Sequence, residues 1–121
     1  MGHVSTIRRR ADPQALRAAW WTFCAVRSVR RQLRGGQLED VVLAAPPSLR
    51  YRAGRGVDAA LRRTAASCLE RSLVLQRWLA MRGERRDVVI GVRAPSTGFK
   101  AHAWLDGEPA GDFDELIRLS P

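Results

Sequence analysis

Residues 67–83 read SCLERSLVLQRWLAMRG, and their patterning decides the fold. Ser67 and Glu70 have the Ser-x-x-Glu spacing of a capping box, in which hydroxyl and carboxylate each take the other's backbone N–H. Leu69, Leu73, Gln76 and Ala80, with Leu75, Trp78 and Leu79 alongside, then form an apolar helix. Gly83 stops it just past Arg82. Downstream the period changes. Val88 to Val92 reads as a strand buried on both faces, and Pro95 to Gly98 as a turn. Lys100 to Leu105 reads as a second strand. Asp106-Gly107 is a hairpin signal leading into a short third strand, Pro109 to Asp112, and Phe113 to Leu119 closes the fold. Helices followed by an antiparallel sheet predict an α+β fold.

Upstream, Asp12-Pro13 is a helix start: Asp12 caps, and Pro13 fits the first helical position. Leu16, Trp20, Phe23, Val26 and Leu33 recur at helical spacing until Gly35-Gly36 ends the helix. Cys24 adjoins that stripe and is read as packing. Trp20 and Trp21 are adjacent, so one of them is exposed and becomes a candidate partner contact. Val41 to Ala45, Pro46-Pro47 and the stretch Arg52 to Gly56 read as an extended linker, followed by a short helix from Val57 to Thr64. Residues 1–11 lack periodicity and are expected to form a disordered arm. The expected organisation is one domain: this arm, a helix and linker over 12–56, and a core over 57–121.

The 121 residues suit a single domain, and no apolar run is long enough to span a membrane. No secretion signal is evident, so a cytoplasmic location is expected. The net charge of +9 raises the possibility of nucleic-acid binding. The arginines are scattered, however, and Lys100 is the only lysine, a pattern that GC-rich coding also produces. A field of this sign attracts acidic peptides. Two unclustered cysteines and two histidines lack metal-ligand spacing, and no phosphate-binding glycine loop is present. No cofactor is expected.

The chemistry concentrates on Cys68. At the first position of a capped helix, unpaired N–H groups and the macrodipole favour an anion, and the thiolate is the nucleophilic form. The backbone N–H of Cys68 is a candidate oxyanion donor. On the strand 100–105, alternation puts Lys100, His102 and Trp104 on one face and Ala101, Ala103 and Leu105 on the other. His102 is the candidate base. Trp104 either walls a substrate cleft or packs the core. A base needs an orienting partner. Asp112 is the first candidate if the hairpin loop is odd in length, and Asp114 the alternative. A helix-start cysteine followed by a sheet that presents a histidine is the papain-like arrangement.

The run from Cys68 to Gln76, then Arg82 to Val92, then Phe99-Lys-Ala-His-Ala-Trp104, resembles the transglutaminase-like leader peptidases of lasso-peptide biosynthesis. More narrowly, it looks like the stand-alone protease half of the split B protein. The likeness is close over 57–112 and one of layout only before that. It implies a Cys–His–Asp triad at Cys68, His102 and Asp112 that hydrolyses the leader–core bond of a ribosomally made precursor peptide. It also implies a separate leader-recognition protein and a later ATP-dependent cyclase as partners. Two other functions remain open from the residues: an acyl transferase using the same triad, and a basic, non-catalytic nucleic-acid adaptor.

Overall fold

The computed structural model describes residues 12–93 and 98–121. The expected arm over 1–11 lies outside them, as does the expected turn after Arg93 apart from Gly98. Three helices, α1 (Pro13–Gly35), α2 (Gly54–Arg63) and α3 (Cys68–Met81), precede three strands, β1 (Val88–Arg93), β2 (Lys100–Leu105) and β3 (Asp114–Leu119). The sheet is antiparallel, in the order β2-β1-β3. The fold is α+β, with helices first and sheet second.

Helices α1 and α3 start where local chemistry favours it, whereas α2 has no capping side chain. The Asp12 carboxylate accepts the Gln14 N–H, with Pro13 next to it in the first turn. Ser67 and Glu70 form the capping box, at 3.0 and 3.1 Å. At the far end of α3, Gly83 takes a positive φ of 82° and the Glu84 N–H reaches back to the Leu79 carbonyl.

The core lies where the three helices meet, with Val26, Val29, Val57 and Val74 fully buried between them and Val88 closing it from the sheet. Burying each such valine contributes roughly 1.5–3 kcal/mol. The buried face of α1 differs from the expected stripe. Ala18, Trp21, Thr22, Ala25, Val26 and Val29 face inward, while Leu16 and Trp20 are exposed. Cys24 is exposed too, so it does not pack the core. The cause is a close backbone crossing. A Cβ on Gly56 would lie 1.9 Å from the Ala15 carbonyl oxygen, so α2 presses on α1 where only small side chains fit between them.

The linker after α1 contains two short 3-10 turns, Leu38–Asp40 and Tyr51–Ala53. Flanking side chains hold it. Gln32 bonds both backbone groups of Val42, Trp21 donates to the Ala44 carbonyl, and Arg77 and Arg82 donate to those of Leu43 and Leu49.

The third strand also differs from expectation. Gly107 makes the turn after β2 with φ +99°, but residues 109–112 form no strand, and β3 pairs with β1 on its other side. Two features explain it. Pro109 has no N–H to offer a ladder. The Glu108 carboxylate accepts the Leu105 N–H at 2.9 Å, taking a β2 donor that a neighbouring strand would otherwise meet. Leu116 has no partner in the β1–β3 register and is exposed at the bulge between Ile90 and Gly91.

Candidate active site

Cys68 is the first residue of α3 and is half-buried. No group among the described residues takes its N–H. The Glu70 carboxylate two residues on would disfavour an anion there, but it is already committed. It caps the Ser67 N–H and receives two bonds from Arg30, each 3.0 Å. Arg30 also donates to the Thr64 carbonyl just past α2. One guanidinium on α1 therefore fixes the end of α2 and the start of α3 together. The bonded arginine, first of all, holds the Glu70 carboxyl below its ordinary range, against a smaller opposing effect of burial.

His102 lies on β2 opposite Gly91 of β1. Its ring stacks on Trp104, 5.7 Å between centroids and 21° between planes, and touches Phe113 at 5.2 Å. Trp104 is only 6% exposed, so it packs under the imidazole. The space comes from Gly91, where a Cβ would lie 2.7 Å from both the Trp104 ring and the Asp114 carbonyl.

Cys68 and His102 lie on neighbouring elements, since α3 packs against β2. Gln76 of α3 donates to the carbonyls of Arg86 and Leu119, at 2.9 and 2.8 Å. Leu119 lies across Val88 from Leu105, so Gln76 marks the Leu105 end of the sheet. Helix α3 runs along β2, and the Arg71–Glu108 pair, 2.9 Å apart, ties its first turn to the end of that strand. By alternation His102 faces away from Leu105, which enters the helical core. The side chains on the core-facing side at its level are the small Ala101 and Ala103. Among the described residues no hydrogen bond joins Cys68 to His102, whose ring instead stacks on Trp104 and touches Phe113.

Asp112 lies in the loop before β3 and is 69% exposed in its side chain. Both carboxylate oxygens accept from Arg93, each at 3.0 Å, and this bond lowers the Asp112 pKa. The Arg93 guanidinium also lies 5.0 Å from the Phe113 ring that touches His102. Asp112 is thus one residue removed from the imidazole's aromatic wall, and in this state it holds Arg93. Asp114, the alternative, opens β3 opposite Val92 and is exposed. Of the two tryptophans on α1, Trp20 is the exposed one and Trp21 is buried. Arg30, Arg93 and Phe113 were not singled out from the sequence. The i+1 position of Phe113 after Asp112 was the only local clue.

Comparison with protein families now bears on this geometry. The model of the transglutaminase-like superfamily matches residues 7–119. The chain belongs to that superfamily. Its members are typically cysteine-dependent enzymes, which agrees with a cysteine at a capped helix start beside a histidine-bearing strand. Comparisons with curated proteins and with solved structures find no match. Among the described residues no cluster of three metal-ligating side chains occurs, and no helix is long and apolar enough to cross a membrane.

Proposed function

We propose that this transglutaminase-like chain is a cysteine peptidase that removes the leader from a ribosomally made precursor of the lasso-peptide kind. What supports it is that Cys68 heads a capped helix with its N–H unpaired among the described residues, and that this helix packs against β2, the strand that bears His102. The sequence likeness over residues 57–112 narrows the substrate to a leader–core junction. The leader is presented by a separate recognition protein, and an ATP-dependent cyclase acts afterwards.

The Cys68 thiol passes its proton to His102, and the thiolate sulfur attacks the junction carbonyl. The Cys68 N–H donates to the developing oxyanion. The tetrahedral adduct collapses as His102 gives its proton to the departing core amine, leaving the leader as a thioester on Cys68. His102 then takes a proton from water, whose oxygen displaces the sulfur and frees the leader acid. Asp112 orients the imidazole. A carboxylate offers about four acceptor positions, so the Arg93 pair leaves room for an imidazole N–H.

The test is cleavage of precursor in the presence of the recognition protein, read by mass spectrometry. Cys68→Ala and His102→Ala lower the rate by about 10³-fold or more. Asp112→Asn lowers it by about 10²-fold or more. Undiminished cleavage by Cys68→Ala ends the proposal, and a fully active Asp112→Asn moves the orienting role to Asp114. A product joined to an added amine, in place of the free leader acid, marks the chain as a transferase.

A further inference from the structure

A concave surface lies at the other end of α3, away from Cys68. It is a groove of about 880 Å³ between the linker, α2 and the C-terminal half of α3. Its floor is apolar, built from Val57, Leu75, Trp78 and Leu79. Three guanidinium groups border it, those of Arg52, Arg55 and Arg82. None of the three pairs with a carboxylate among the described residues. Two acids also line it, but Glu84 is taken by Arg86 at 3.0 Å, which leaves Asp58.

Arg82 is held in place. Its guanidinium lies 5.3 Å from the Tyr51 ring centre and 5.6 Å from that of Trp78, and one nitrogen donates to the Leu49 carbonyl. A guanidinium fixed between two rings gives up little freedom when it binds an anion, and its remaining N–H groups suit a carboxylate. Tyr51 is itself 83% exposed, an aromatic ring left open beside these cations.

We propose that this groove is a second binding site for the peptide substrate, taking an acidic segment remote from the bond that is cut. Its occupant is an extended peptide with carboxylates for the arginines and an aliphatic side chain for the floor. That identity rests on the peptidase function proposed above. Arg82 lies about 21 Å along the helix axis from Cys68. About six extended residues cover that span, so one peptide reaches both places. A nucleic acid fits less well, because its phosphates have no use for the aliphatic floor and are repelled by Asp58.

The test uses the full chain carrying Cys68→Ala, so binding is read without turnover. The probe is a fluorescein-labelled peptide of about ten residues with paired glutamates and a leucine, followed by anisotropy. Replacing its glutamates by glutamines weakens binding by about tenfold or more. Arg52→Ala/Arg55→Ala on the chain does the same, and Tyr51→Ala, which frees Arg82, weakens it less. Arg27→Ala/Arg31→Ala, two exposed arginines on α1, leaves binding unchanged. Equal losses in the two double variants would show only diffuse attraction and overturn the proposal. So would an oligonucleotide of equal charge that binds more tightly and depends on the same arginines. If the wild-type chain binds the probe at the groove yet cleaves no precursor, the peptidase function fails while the peptide site stands.

Discussion

The two ends of α3 solve opposite problems. At the Cys68 end two carboxylates are engaged: Glu70 by Arg30 and Ser67, Glu108 by Arg71 and the Leu105 N–H. The N–H groups of Cys68 and Leu69 are left over there among the described residues. At the Arg82 end the cations are the surplus, and aromatic rings rather than carboxylates hold Arg82. A helix end whose own charges are spent leaves its dipole available to a reacting group. A helix end with unspent cations is suited to holding a ligand. On the functions proposed above, chemistry and recognition are separated along one helix.

Outside the proposed triad, the substitution most destructive to cleavage is Gly91→Val. Its side chain has nowhere to go, since even a Cβ meets Trp104 and the β3 backbone. Overpacking of this kind costs about 1–3 kcal/mol, and a displaced Trp104 carries the His102 ring with it. Precursor cleavage falls by about 10²-fold, because small misplacements of a catalytic group have that effect. Binding of the acidic probe at the Arg82 end is unchanged if the two ends are independent. Joint loss of both in a folded Gly91→Val chain would break the comparison. A smaller effect is expected of Ser67→Ala, which removes one half of the capping box. It costs about 1 kcal/mol by thermal unfolding and lowers cleavage while leaving the probe site alone.

The sequence made the Cys68 end legible because its determinants are local. Ser67 and Glu70 are three residues apart, Gly83 stops the helix it follows, and the alternation in β2 needs only neighbouring residues. The errors came where distant segments decide. On α1 the large residues Leu16 and Trp20 were expected inside, but Gly56, some forty positions later, brings α2 so close that Ala18 and Ala25 occupy the interface. The third strand was placed at the turn signal. The pairing of β3 with β1 depends instead on Ile117 and Leu119, which lie opposite Ile90 and Val88, and on Glu108 taking the Leu105 N–H. Arg30 and Glu70 are forty residues apart, and no spacing rule links them. For the same reason the groove at Arg82 was invisible, since its walls come from three separate segments.

That long-range pair sets a pH dependence specific to the Cys68 end. The Arg30 hydrogen bond chiefly lowers the Glu70 pKa, and the Arg71 bond chiefly lowers that of Glu108. A carboxyl depressed in the folded chain stabilises it above the unfolded value, near 4.5, and loses that contribution as pH falls through the depressed value. Thermal midpoints should therefore decline as the pH is lowered past the ordinary glutamate range. Glu70→Gln should be less stable than wild type at neutral pH and converge with it in acid, because the lost charge no longer matters once Glu70 is protonated. The same titration applied to Arg52→Ala/Arg55→Ala should run parallel to wild type, as neither arginine holds a carboxylate among the described residues. Convergence in acid by that double variant as well would mean that its arginines, too, are spent on the fold, and that the two ends of α3 are alike after all.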